Sequence, residues 1–228
     1  MVPERFAPVL AEVAPLGELF RAANKRLFLV GGSVRDLLMD RETSELDFDF
    51  TTNATPEEIK SIISGWADSI WTPGERFGTI SAGKSCRTYE ITTHRAEAYS
   101  PDSRKPDVQF SERIEDDLSR RDFTVNAMAL EITSVAPSLV DPYGGLADLM
   151  GKVLRTPLSA TESFSDDPLR MMRAARFIAG LQLTPVEELV AAVRAMADRL
   201  KIVSAERIRH ELDRLMVTEH PTAGLWFL

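Results

Sequence analysis

At 228 residues and 44% hydrophobic content, the chain is long enough for a mixed α/β body plus a helical extension, and its single Cys86 excludes an internal disulfide and fits a reducing cytoplasm. A formal net charge of −8 argues against a surface that is basic throughout, so nucleic-acid contacts have to come from local patches. No apolar stretch approaches the roughly 20 residues that span a bilayer, and nothing near Met1 reads as a signal peptide, so a soluble protein with no membrane partner is expected.

In chain order, apolar periodicity predicts a helix over 9–23, and the short apolar run 27–30 followed by glycines predicts a buried strand. Gly31 and Gly32 turn the chain. Without a Cβ, their backbone amides can approach a triphosphate closely, and the helix opened by Ser33 presents its N-terminus to the anion, with Arg35 adding a charge-assisted contact. Residues 46–50 alternate apolar and acidic, which predicts a strand with Asp47 and Asp49 on one face. Two carboxylates so placed repel unless a cation sits between them, and Mg²⁺ prefers carboxylate and phosphate oxygens. A glycine turn alone is usually only a turn, and an isolated Asp-x-Asp is usually a solvated strand face. The order and closeness of the two point to nucleotidyl transfer.

Thr55-Pro56 opens a helix reaching about residue 66, and strands are predicted near 78–82, 88–93 and 125–132. In the second of these, Glu90 points opposite to Tyr89 and Ile91, which makes it the best candidate for a third carboxylate. Within SRRDF, Arg120, Arg121 and Asp122 can reach phosphate and ribose hydroxyls or form a surface ion-pair cluster. Beyond the Gly144-Gly145 turn and a strand around Val153, the period becomes helical over 168–180, 185–200 and 205–217. Ser165 reads as a cap for the first of these helices, Pro168 suits its first turn, and Asp167 and Arg170 fall at i and i+3. An acceptor beside a fork-shaped donor can hydrogen-bond a base's Watson–Crick edge and select C and A over U and G. The same spacing also describes an ordinary ion pair. Arg170, Arg173 and Arg176 recur every three residues and either line a nucleotide cleft or form a solvated arginine face. The acid is concentrated early: residues 1–150 carry 16 basic and 25 acidic side chains, residues 151–228 carry 11 and 10.

GGSVRDLLM followed by LDFDFTT resembles the class II tRNA nucleotidyltransferases and bacterial poly(A) polymerases of the polymerase β superfamily. Four later segments carry the resemblance further. SRRDFTVNAMA resembles the family's ribose-recognition motif, which implies sugar contacts for Arg121 and Asp122; DPYGGLADLMGKVLRT resembles the hinge between head and neck. DDPLRMMRAARF resembles the segment that templates the incoming base, implying that role for Asp167 and Arg170, and SAERIRHELDRLM resembles the neck helix that follows. GERFGTI and SRKPDVQF match positions around a mobile loop, where Arg104 and Lys105 either meet phosphate or are solvated. In one departure, the usual Glu-Asp before the templating helix is Asp166-Asp167, and Asp166 is expected to orient Arg170. In another, Glu45 adds charge beside the metal pair as a solvated neighbour.

The resemblance implies an α+β fold, a small mixed-sheet polymerase β-like nucleotidyltransferase head over 1–145 followed by an α-helical neck and the start of a body over 146–228. The change from strand to helical periodicity puts the boundary near 137–158, and the ending GLWFL, with no stop signal, reads as a fragment. The expected activity is template-independent addition of CMP, AMP or both to the tRNA 3′ end from CTP and ATP. Asp47 and Asp49 would hold two Mg²⁺ ions with Glu90 as the third carboxylate, and Gly31, Gly32, Arg35 and Asp36 would organise the triphosphate. Arg173 and Arg176 would extend the nucleotide site begun by Arg121, Asp122, Asp167 and Arg170. Poly(A) synthesis, addition of only CC or only A, and a non-catalytic nucleotide- or RNA-binding module are the alternatives.

Overall fold

The computed structural model describes residues 3–41, 48–98 and 107–228. It divides into two compact units, Met1–Arg120 with Asn126–Pro142, and Arg121–Val125 with Tyr143–Leu228.

The first unit opens with α1 (Ala7–Ala22), which buries Val9, Val13, Leu16 and Phe20 on one face. Gly17 lies on that face because a Cβ there would meet the Ile132 carbonyl oxygen at 2.8 Å. β1 (Leu27–Val30) is buried at all four positions, as an uninterrupted apolar run in a central strand should be. After it come α2 (Gly32–Leu38), β2 (Phe48–Thr52) and α3 (Pro56–Ile63). α3 starts with a capping box: the Thr55 hydroxyl accepts from the Glu58 N–H, and the Glu58 carboxylate accepts from the Thr55 N–H.

β3 (Ser69–Trp71), β4 (Thr79–Lys84) and β5 (Arg87–Thr93) follow. Ser85 and Cys86 join the last two, both at positive φ (49° and 64°), the conformation that matches the twist of a tight hairpin. β6 (Arg95–Ala98) and β7 (Asp107–Phe110) form a separate antiparallel ladder, and α4 (Ile114–Ser119), β8 (Ala129–Glu131) and β9 (Ser138–Val140) complete the unit. Among the described residues seven strands make one mixed sheet, in the order β3-β4-β5-β2-β1-β8-β9. β2 and β5 run parallel, with Phe48, Asp49 and Phe50 across from Tyr89, Glu90 and Ile91. Phe48, Phe50 and Tyr89 are buried and pack their rings with 5.6–6.2 Å between centroids.

In the second unit, α5 (Gly145–Met150) begins after Gly144, whose φ of 72° favours glycine. β10 (Val153–Leu154), α6 (Ala160–Asp166), α7 (Leu169–Leu181), β11 (Thr184–Pro185), α8 (Glu187–Met196), α9 (Ala205–Met216) and α10 (Pro221–Phe227) follow, with β10 and β11 parallel. Ala175, Ala179 and Leu215 form a buried cluster joined by Phe227, and Gly224 admits α10 so closely that a Cβ there would lie 2.4 Å from the Ala175 carbonyl oxygen.

The mixed sheet with helices is the α+β architecture expected. Four local expectations change. The strand predicted over 125–132 is a 3-10 turn, Thr124–Asn126, followed by the three residues of β8. Here tertiary bonds override β propensity: the Thr124 N–H donates to the Arg155 carbonyl at 2.8 Å and its hydroxyl to Asp148 at 2.7 Å. The strand expected at 46–50 continues to Thr52 from Phe48, the first described residue after 41; its first two predicted residues lie outside the described ones. Ser165 is not a cap; it lies inside α6, and Asp167 Oδ1 accepts the Leu169 N–H at 3.1 Å instead. The helix expected over 185–200 starts later, because Pro185 belongs to β11, and its last turns tighten into the 3-10 segment Ala197–Ile202.

Candidate active site

Gly31 has φ 73° and ψ −134°, a conformation that side chains other than glycine's rarely adopt, and the chain enters α2 directly from it. The turn into α2 at this point therefore depends on the missing Cβ. Gly31→Ala should cost about 1–3 kcal/mol of stability and weaken CTP binding, read by thermal unfolding and calorimetry; an unchanged unfolding midpoint would mean the turn relaxes without penalty. One turn on, Arg35 is locked by its neighbours. Its Nε and Nη2 donate to the two oxygens of Asp36 at 2.9 and 2.8 Å, and Nη1 donates to Asn126 Oδ1 at 2.6 Å. A planar fork held at three nitrogens has a fixed direction, and it fixes Asp36 in turn.

Asp49 is exposed on β2 between buried Phe48 and Phe50, as alternation demands. Glu90 is exposed on β5 between buried Tyr89 and Ile91. The parallel register places the two directly across from each other, on strands about 5 Å apart, so their carboxylates leave the same sheet face as neighbours. Asp47, Glu45, Arg104 and Lys105 lie outside the described residues. Among the described residues no group of three or more His, Cys, Asp or Glu side chains is placed to hold a metal ion. The Asp49 and Glu90 pair offers adjacent hard oxygen donors on a rigid sheet, which suits Mg²⁺ in chemical type.

The second unit carries its own constellation. Asp122 is only 8% exposed. Its Oδ2 accepts from Arg173 Nε at 2.9 Å and Nη2 at 2.6 Å, and its Oδ1 accepts the Phe123 N–H at 2.9 Å. Arg121, half-buried, precedes it. Asp167 Oδ2 accepts from Arg207 at 3.0 Å, and Arg170 Nη1 donates to Ser163 Oγ at 2.8 Å. Arg173 and Arg176 converge on Glu211, itself 4% exposed, at 3.4 and 2.7 Å. Arg176 also lies 4.5 Å from the centroid of the Phe177 ring, which packs edge-on against Phe123. Asp122, Arg173, Arg176 and Glu211 thus form one largely buried network, whereas the side chains of the Asp167–Arg207 pair are 31% and 56% exposed. Burial lowers the Arg176 pKa despite Glu211, whereas for Arg173 the opposing pull of burial is outweighed by Asp122 and Glu211 together, and the pKa rises.

Asn126, Ser163, Arg207 and Glu211 were not singled out from sequence as site residues. Arg207 and Glu211 are i and i+4 on a strongly amphipathic helix, a spacing that signals a shared face without saying that Glu211 on it is buried.

The chain belongs to the family described as the poly A polymerase head domain, which matches residues 27–155. Residues 182–226 match a second family, described as a probable RNA and SrmB-binding site of polymerase A. The CCA-adding enzyme of Lactococcus lactis subsp. cremoris is 41% identical over 100% of this chain and 54% of its own length, and that of Lactobacillus helveticus is 38% identical over 95% and 52%. The crystal structure of the Bacillus stearothermophilus CCA-adding enzyme with CTP superposes with a TM-score of 0.82 at 30% identity, covering 100% of this chain and 52% of that one. The Thermotoga maritima CCA-adding enzyme complexed with tRNA gives 0.77 at 27%, covering 99% and 50%. The chain thus spans about half the length of the curated relatives it matches. Among the described residues no helix is long and apolar enough to cross a membrane.

Proposed function

We propose that this chain is the head (1–145) and the neck with the start of a body (146–228) of a cytoplasmic, template-independent nucleotidyltransferase that adds CMP, AMP or both to the tRNA 3′ end. The observation that carries the reading is the side-by-side placement of Asp49 and Glu90 on β2 and β5, in a chain whose relatives are CCA-adding enzymes. In this reading Asp47 and Asp49 hold two Mg²⁺ ions and Glu90 is the third carboxylate. Magnesium held there would lower the pKa of the attacking hydroxyl and neutralise charge on the departing pyrophosphate. The RNA 3′-hydroxyl attacks the α-phosphate of CTP or ATP, forming the new phosphodiester as the bond to pyrophosphate breaks. Gly31, Gly32, Arg35 and Asp36 organise the triphosphate, and Arg121 and Asp122 meet the ribose. Asp167 accepts from the amino group that cytosine and adenine share, while Arg170 donates to their ring acceptor. The CCA-adding enzymes whose solved structures are complexes with CTP, ATP and tRNA support these as substrates.

The test is extension, by the purified protein with Mg²⁺, of tRNAs lacking CCA, CA or the final A, set against a generic RNA. Completion of each tRNA to CCA with no tailing of the generic RNA is the expected result. Long A tracts on both would instead establish a poly(A) polymerase, the reading that the head-domain family description favours. Growth by only CC or only A would define a split activity, and no incorporation by a protein that still binds CTP would leave a non-catalytic binding module.

A further inference from the structure

Resting on that reading, we infer that α9 sets both recognition carboxylates of the second unit, Arg207 acting through Asp167 on base selection and Glu211 acting through Arg173 and Asp122 on sugar selection. Arg207 and Glu211 are one turn apart, so they share a helix face. Along one branch, each oxygen of Asp167 is held by a different donor, Oδ2 by Arg207 at 3.0 Å and Oδ1 by the Leu169 N–H at 3.1 Å. The two donors restrain the carboxylate plane, Arg207 from the more exposed side, and each oxygen keeps a second lone pair for an incoming donor. Removing Arg207 frees one end, and a carboxylate that swings reads an amino group less sharply.

The other branch is longer. Glu211 is buried and shares its two oxygens between Arg173 Nη1 (3.4 Å) and Arg176 Nε (2.7 Å). Arg173 turns its remaining edge to Asp122, placing both Nε and Nη2 on Oδ2 and leaving Oδ1 with the Phe123 N–H. A guanidinium held between two carboxylates has its plane set by both, so Glu211 fixes the direction from which Arg173 grips Asp122. A buried carboxylate with two half-buried arginines is a poor choice for stability alone, since apolar groups of the same volume do as well. Arg207 and Glu211 are positioning residues; neither need touch the nucleotide.

The two branches meet different substrate groups, so their losses should separate. Calorimetric binding of CTP, UTP and dCTP with Mg²⁺ to wild type, Arg207→Met, Arg207→Lys and Glu211→Gln, with thermal unfolding alongside, is the experiment. Arg207→Met should lower the CTP-over-UTP preference by about tenfold, the scale of one charge-assisted hydrogen bond, and leave CTP over dCTP within about twofold. Arg207→Lys should recover part of the loss. Glu211→Gln should do the reverse, cutting CTP over dCTP several-fold while base preference stands. Should Glu211→Gln fail to fold, Arg173→Lys, which keeps the charge on Asp122 but loses the fork, carries the sugar arm with the same expectation. Parallel loss of both preferences in each variant, tracking the unfolding midpoint, would make α9 a structural element only and overturn the inference. So would wild-type selectivity in every variant. A wild type that binds UTP and dCTP as well as CTP overturns the functional reading itself, and this inference with it.

Discussion

Asp49→Ala should abolish nucleotide incorporation, lowering it by at least about a thousandfold, while the thermal unfolding midpoint stays where it was. The separation follows from where the side chain sits. Asp49 is exposed on the outer face of β2, and the packing of that strand is supplied by Phe48 and Phe50 on the other face, so truncation to a methyl removes no core contact. It also relieves repulsion with Glu90 across the register, which offsets any loss of local hydrogen bonding. Asp49→Asn keeps the shape and removes the charge; an equally inactive Asn variant would assign the loss to charge rather than to volume. Glu90→Ala should reduce both turnover and magnesium dependence. Incorporation near the wild-type rate by the Asp49 variants, measured with labelled CTP on a tRNA lacking its CCA end, would remove the metal assignment.

Phe50→Ala, one residue away, has the opposite signature. Phe50 is 1% exposed, stacks on Tyr89 with 6.2 Å between centroids and an 18° interplanar angle, and sits across from Leu29 in the β1–β2 register. Removing a buried ring at the centre of the sheet should cost about 3–5 kcal/mol, a large share of the 5–15 kcal/mol that holds a typical domain together. The loss should appear as a lower urea midpoint with an unchanged slope. Because the same packing keeps β2 and β5 in register, the variant should also lose activity under conditions in which it remains folded. Phe50→Leu, which keeps most of the volume, should cost less than half as much. An unshifted midpoint for the Ala variant would contradict the burial of this ring.

Much of the head was legible from local pattern because local pattern is what the backbone responds to there. Leu27–Val30 had to be a buried strand, since a continuous apolar run too short for a helix and closed by glycines has no other stable place. Thr55-Pro56 opened a helix as their turn chemistry predicts, and the outward direction of Asp49 and Glu90 follows from the period of two along each strand. The arginines of α7 were harder to read. A recurrence every three residues specifies a common face, but whether that face meets water or a buried carboxylate depends on Glu211, 35 residues beyond Arg176. Thr124–Asn126 failed as a strand for a related reason: its β-branched residues suit a ladder, but the Thr124 N–H is taken by Arg155.

By itself, then, the sequence determined the main strands and helices of the head and the outward direction of Asp49 and Glu90, which depend on periodicity and turn chemistry within a few residues, and its motifs carried the family resemblance. Only the tertiary structure decided that Asp49 lies beside Glu90, that Asp122 is gripped by Arg173, and that Arg207 and Glu211 reach Asp167 and the α7 arginines. Strand register and ion pairing join residues dozens of positions apart, and they are settled by which packing of the whole chain buries its apolar faces while leaving the buried charges matched.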